Sequence, residues 1–316
     1  MEKMEKYRVL KNKVFTITDR EHLTADIYLP TKQTAKTDIP CMILIHGGGW
    51  KFGTAQAYAE WCIAFAERGI CAMSINYRMS TPTYHGYPGV VDDVEAAINF
   101  LVDNAHEWNL DPYNMGLLGD SSGAHLAFMT IFRHEYTSAK IKLIVGAYGV
   151  YDLPKWLEYA DKKWPNQPNV VRNLIGKDDK TELEYYEQAS PQYIIDKAMH
   201  DNPLIQTEVF LTWGEDDGFV PAEQSIAFVE KLKQYEGRIN LQAVGLEGVA
   251  HLWFPRDITC GYTNPLDKYP LSIVAPKILD FVTSVFEKPA FVSSDSNYKG
   301  KDDYLKSKTY RVSRKK

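Results

Sequence analysis

No run in this 316-residue sequence reaches the roughly 18 consecutive apolar residues that span a bilayer, so no transmembrane helix is expected. The amino-terminal MEKMEKYRVLKNKVF lacks the apolar core of a secretory signal, which makes the cytoplasm the expected address. A basic excess is missing too. The net charge is −5, from 36 Lys and Arg against 41 Asp and Glu, and the body of the chain has no electrostatic footprint of a nucleic-acid binder. Cysteine is scarce: Cys41, Cys62, Cys71 and Cys260 form neither a close pair nor a Cys/His cluster with zinc spacing. They read as reduced core residues, and neither a metal nor a disulfide is expected. Internal repeats and low-complexity tracts are also absent.

What is present is a chain 45% hydrophobic and 24% charged, rich enough in apolar residues to bury a large core. YRVLKNKVFTI and LTADIYLP, split by a polar turn, read as an antiparallel edge pair. From CMILIH onward, short continuous apolar runs alternate with helical patterns: a helix over Val90 to Asn109, a strand from Asn114 to Leu118, a helix from Ser122 to Phe132 and a strand from Ile141 to Ala147. Strict alternation predicts a parallel sheet covered on both faces. The polar, aromatic-rich segment 148–202, interrupted by Pro154, Pro165, Pro168 and Pro191, breaks the rhythm and reads as a cap-like insertion. The pattern resumes with EVFLTWG, a helix over Pro221 to Gln234, INLQAVG, and a last helix over Pro270 to Phe286. This organises residues 1–287 as one domain and 288–316 as a basic, flexible tail.

One turn carries chemistry. Gly119-Asp120-Ser121-Ser122-Gly123 fits Gly-x-Ser-x-Gly where a central strand hands over to a helix. Such a turn forces its central residue into strained geometry and lifts its hydroxyl off the sheet, making Ser121 a candidate nucleophile; the plainer alternative is a helix cap. A serine needs a base oriented by an acid, and on this class of fold the chain order is Ser, acid, His. Of eight histidines, only His251 lies beyond the late strand and helix, in the loop LEGVAHLWF. The preceding strand ends at Gly214 and is followed by Glu215, Asp216 and Asp217, any of which can supply the acid. Upstream, HGGGW follows a buried strand and brings bare N–H groups to the sheet edge. Those of Gly47 and Gly48, with Ser122, are candidate oxyanion donors, and His46 is expected to hold the loop. A phosphate cradle is disfavoured, because neither Gly-Lys-Ser/Thr nor Gly-x-Gly-x-x-Gly occurs.

In order, LIHGGGW, SINYRMS, VVDDVEAAINFLVDNA, GLLGDSSGAHLA, ASPQYI, WGEDDGFVPAEQS and GVAHLWF resemble the α/β-hydrolase superfamily over Leu23 to Phe286. More narrowly they resemble its His-Gly-Gly-Gly esterase branch, the hormone-sensitive-lipase-like and acetyl xylan or feruloyl esterase-like enzymes. The resemblance implies an α/β-hydrolase fold with a mostly parallel sheet and a small cap. It also assigns the acid to Asp217, three residues ahead of Val220-Pro221. Two-step acyl transfer without metal or organic cofactor is then expected on small-molecule esters of short acyl groups. Acetylated sugars are favoured within that class, because Tyr148, Tyr151, Trp156, Tyr159 and Trp164 offer stacking faces. Trp50, beside the oxyanion loop, is expected to limit the substrate pocket. Two rival readings are an arylformamidase of the same fold, since His46 to Trp50 also satisfies His-Gly-Gly-x-Trp, and a non-catalytic ligand-binding protein on a hydrolase scaffold.

Overall fold

A computed structural model describes residues 6–31, 38–133, 141–203, 205–254 and 265–288; Cys260 and the expected tail from 289 onward lie outside them. The two amino-terminal strands, β1 (Tyr7–Ile17) and β2 (His22–Pro30), pair antiparallel. The remaining strands are β3 (Ile39–Ile45), β4 (Cys71–Ile75), β5 (Leu110–Asp120), β6 (Ile141–Ala147), β7 (Thr207–Gly214) and β8 (Ile239–Leu246). They form one eight-stranded sheet in the order β1-β2-β4-β3-β5-β6-β7-β8, parallel from β4 to β8. The inner strands are buried on both faces, as continuous runs such as CMILI require. The α/β-hydrolase fold expected from the sequence is what the chain adopts.

Helices α1 (Ala59–Ala66), α2 (Gly89–Asp103), α3 (Ala105–Trp108) and α4 (Ser122–Arg133) connect the first parallel strands. The single helix expected over Val90 to Asn109 is two, broken at Asn104 and closed by left-handed Asn109. Strand β3 has β4 on one side and β5 on the other, so the chain reverses its direction of travel across the sheet between β3 and β5. At such a switch point the loops leaving adjacent strands diverge and open a crevice at their carboxyl ends. The loops after β3, β5, β7 and β8 carry His46 to Trp50, Ser121, Glu215 to Asp217, and His251 respectively.

The insertion is more ordered than its composition suggests. It holds α5 (Leu153–Lys163), α6 (Val170–Ile175), α7 (Leu183–Gln188) and α8 (Pro191–Asp201). Pro154 and Pro191, expected to interrupt structure, instead occupy the first turns of α5 and α8, where a missing N–H costs nothing. Asp152 caps α5 through the Lys155 N–H, and Asn169 caps α6 through that of Val171. Helix α8 packs on α4 and so serves as the crossover back to β7. Helices α9 (Ala222–Lys233) and α10 (Leu271–Glu287) complete the cover. Cys41, Cys62 and Cys71 are free and buried. Among the described residues, no helix is long and apolar enough to cross a membrane, and no cluster of three His, Cys, Asp or Glu has metal-binding geometry.

Candidate active site

The turn after β5 shows why its glycines are needed. Ser121 has φ 51°, a left-handed conformation that a non-glycine residue adopts at a cost. Its N–H is held by the Ala147 carbonyl at 2.8 Å. A Cβ on Gly119 would lie 2.4 Å from the Gly123 backbone, and one on Gly123 would lie 2.0 Å from the Ile45 carbonyl oxygen. Any side chain at either position would push the turn off the sheet. Ser121 thus stands at the amino end of α4 with its hydroxyl turned away from the strand.

Three residues remote in sequence meet there. His251 Nε2 lies 3.2 Å from Ser121 Oγ, and His251 Nδ1 lies 2.5 Å from Asp217 Oδ2. The other Asp217 oxygen accepts the N–H groups of Phe219 at 2.8 Å and Val220 at 2.9 Å. Those two bonds fix the carboxylate, whose side chain is fully buried, with one oxygen aimed at the imidazole. Asp216 and Glu215 are exposed and turned elsewhere: Glu215 accepts from Trp213 Nε1 at 2.9 Å. Of the three acids the sequence left open, geometry brings only Asp217 to His251.

The oxyanion loop departs from expectation at its first glycine. The N–H of Gly47 donates to Asp120 Oδ1 at 2.8 Å and is not available to a substrate oxygen. The candidate donors that remain are the N–H of Gly48, whose φ of 124° disfavours any side chain, and that of Ser122 at the first turn of α4. His46 does hold the loop: its Nδ1 bonds the Gly47 carbonyl at 2.8 Å, and its ring stacks on Tyr77 at 4.5 Å. Tyr77 in turn donates to the His46 carbonyl at 2.9 Å.

Trp50 is a second correction. Expected beside the substrate pocket, it is 1% exposed and packed in the interior. Its indole N–H donates to His125 Nδ1 at 3.2 Å, and His125 Nε2 bonds the Ala189 carbonyl at 2.7 Å. This dictates a neutral imidazole with its proton on Nε2, and burial pulls the His125 pKa down to about 4. Trp50 and His125 therefore pin the oxyanion loop to α4 and to the end of α7. Nothing in the sequence pattern marks His125 for this, beyond its place one turn after Ser121.

The expected sugar-stacking aromatics also divide. Tyr148, Tyr151 and Trp156 are buried, whereas Tyr159 and Trp164 are half-buried. Phe219, which sequence reading missed, is 54% exposed, with its ring centroid 5.8 Å from that of His251 and 5.3 Å from that of Trp164. Three side chains of α5 grip the acid loop. Trp156 Nε1 donates to the Phe219 carbonyl at 2.9 Å, and Tyr159 and Lys163 donate to that of Gly218 at 2.9 and 2.7 Å.

Comparison with known proteins agrees with this architecture. The BD-FAE family model matches residues 25–232. A probable isoprenylcysteine alpha-carbonyl methylesterase of Oryza sativa subsp. japonica is 26% identical over 228 residues, 68% of this chain and 51% of the relative. Arylacetamide deacetylase of Bos taurus is 34% identical over 241 residues, 69% of this chain and 57% of the relative. The chain spans about half the length of the curated relatives it matches. Among solved structures, a truncated carbohydrate esterase from gut microbiota superposes with a TM-score of 0.67 at 23% identity, covering 90% of this chain and 98% of that one.

Proposed function

The chain belongs to the BD-FAE family, and on that premise we propose that it is a serine carboxylic-ester hydrolase with Ser121 as nucleophile, His251 as base and Asp217 as orienting acid. The observation that supports this best is the continuous hydrogen-bonded line from Asp217 through His251 to Ser121. A hydroxyl is a weak nucleophile until its proton has somewhere to go, and this line supplies the acceptor. His251 takes the proton as Ser121 attacks the ester carbonyl, and Asp217 holds the Nδ1 proton in place and stabilises the imidazolium. Gly48 and Ser122 donate their N–H groups to the tetrahedral oxyanion. His251 then passes its proton to the departing alkoxide, and water releases the acyl group by the same route. Every step is carried by these side chains and amides, so the chemistry calls for no cofactor.

Within this class the substrate is a short-acyl ester, acetyl esters first and acetylated sugars among them. The support is the aromatic surface beside His251, with Phe219 exposed and Trp164 behind it. A matched pocket gains about 0.8 kcal/mol per methylene, so the depth of the acyl pocket shows directly in chain-length preference. Measuring kcat/KM on p-nitrophenyl esters from two to eight carbons tests this; the maximum belongs at two or three carbons, and one at six or beyond overturns it. A second reading, an arylformamidase, draws on the His-Gly-Gly-x-Trp spacing of His46 to Trp50. Hydrolysis of N-formylkynurenine faster than p-nitrophenyl acetate would favour it. Failure of Ser121 to react with a fluorophosphonate would instead favour the binding-protein reading.

A further inference from the structure

Asp120 occupies the variable position of Gly-x-Ser-x-Gly, next to the nucleophile, and it is 6% exposed. Its Oδ1 accepts the Gly47 N–H at 2.8 Å and the Tyr58 hydroxyl at 2.6 Å. Its Oδ2 accepts the Tyr148 hydroxyl at 3.2 Å. Tyr148 in turn accepts the N–H of Phe254 at 3.1 Å, so its own proton is directed at Asp120. Phe254 lies three residues after His251, and the Tyr148 ring meets the imidazole edge-on at 4.5 Å. One carboxylate thus joins the oxyanion loop, the nucleophile turn and the histidine loop. All three of its partners are donors, which is the environment of an ionised acid.

Resting on the triad reading above, we infer that Asp120 is a positioning residue that locks these three loops in register and adds a second negative charge in support of the His251 imidazolium. Burial pushes the Asp120 pKa up, while the bonds from Tyr58 and Gly47 and the charge of His251 hold it down. The groups facing His251 are Ser121 and Asp120 from the end of β5, Tyr148 after β6, and Asp217 after β7. Those facing Asp120 also include Tyr58 and Tyr77; burial holds Tyr58, Tyr77 and Tyr148 above the ordinary phenol range, so they stay neutral where the enzyme works.

The inference separates charge from connection. Asp120→Asn removes the charge and should lower kcat on the order of tenfold to a hundredfold with KM changed less than about threefold. It should also move the acid limb of kcat/KM down by roughly half a pH unit or more, because an imidazole that loses a nearby anion gives up its proton more readily. Tyr148→Phe keeps the charge and cuts the link, so kcat should fall while the acid limb stays. Nuclear magnetic resonance titration of His251 in Ser121→Ala, with and without Asp120→Asn, reads the shift without any turnover. Identical titrations in the two proteins would overturn the inference. Full activity of Ser121→Ala would instead overturn the triad reading itself. Should Asp120→Asn not fold, Tyr148→Phe decides alone: a wild-type kcat refutes the link.

Discussion

The floor of the crevice and its wall are built by different means. On the floor, the Ser121 N–H is held by the Ala147 carbonyl and the Asp217 carboxylate by the N–H groups of Phe219 and Val220, and each glycine of the Ser121 turn is there because a Cβ would strike a neighbouring strand or helix. The wall, formed by the insertion, is tied to the floor by long side chains of α5 and braced on its outer side by ion pairs around Arg172. Backbone contacts hold position to fractions of an ångström, whereas half-exposed ion pairs are screened and mobile. On the proposed function, the difference separates chemistry from selectivity: the floor should tolerate almost no change, and the wall should tolerate much.

The largest effect should come from the floor itself. Ser121→Ala is expected to lower kcat by roughly four orders of magnitude or more with the thermal midpoint little changed, because the change removes only the hydroxyl proposed as nucleophile. Ser122→Ala should be far milder, since Ser122 is assigned a backbone donor. A Ser121→Ala enzyme with most of its esterase activity would remove the floor from the reaction. Next in size is the acid loop, where floor and wall touch. Asp217→Asn should cost about three to four orders of magnitude in kcat, because an amide disfavours the His251 tautomer that reaches Ser121. Asp216→Asn, on an exposed residue whose N–H donates to the Val249 carbonyl, should stay within a few-fold of wild type. Equal sensitivity of the two would mean that the loop acts as a unit and that Asp217 has no separate role.

The same contrast explains what could be read from the sequence. The alternation of strands and helices and the tight turn at Ser121 were legible because steric demands leave a short, local signature, with two glycines around Ser121 and continuous apolar runs before each loop. Chain order then singled out His251. Asp217 could not be separated from Asp216 by composition; its two N–H donors come from a turn that the sequence does not display. Gly47 was misread for a related reason. Its N–H is claimed by Asp120, whose other partners, Tyr58 and Tyr148, lie 62 and 28 residues away. Trp50 was misread because its partner, His125, is 75 residues distant. In the insertion, prolines looked like breaks because the helices they begin are stabilised by tertiary contacts rather than by propensity.

A smaller effect tests the seam between floor and wall. His125 is neutral in the folded chain, with a pKa of about 4 against an ordinary 6.5. Below pH 6.5 the unfolded chain therefore binds a proton that the folded chain refuses, and stability is lost as pH falls from 6.5 to about 4. Replacing His125 by Gln, which can still donate to the Ala189 carbonyl, removes that term. Urea midpoints at pH 7 and 4.5 should differ less in His125→Gln than in wild type. An equal or larger difference would place the acid sensitivity elsewhere.

The smallest effect belongs to the outer wall. Arg172 reaches Asp161 on α5 and Asp179 beyond α6, with hydrogen bonds of 2.5 to 2.9 Å, and it holds both carboxyls below their ordinary range. All three side chains remain partly exposed, so solvent screening limits what the network contributes to about 1 kcal/mol, or a few degrees in the thermal midpoint. Arg172→Met should lower the midpoint by that amount, and the gap to wild type should shrink in about 1 M salt, where the pairs are screened. Activity should hold within about twofold, because α5 keeps its own bonds to Gly218 and Phe219 when its outer brace is gone. A tenfold loss of kcat in Arg172→Met would mean that strain in the outer wall reaches Asp217 through the α5 grip, and floor and wall would then have to be treated as one mechanical unit.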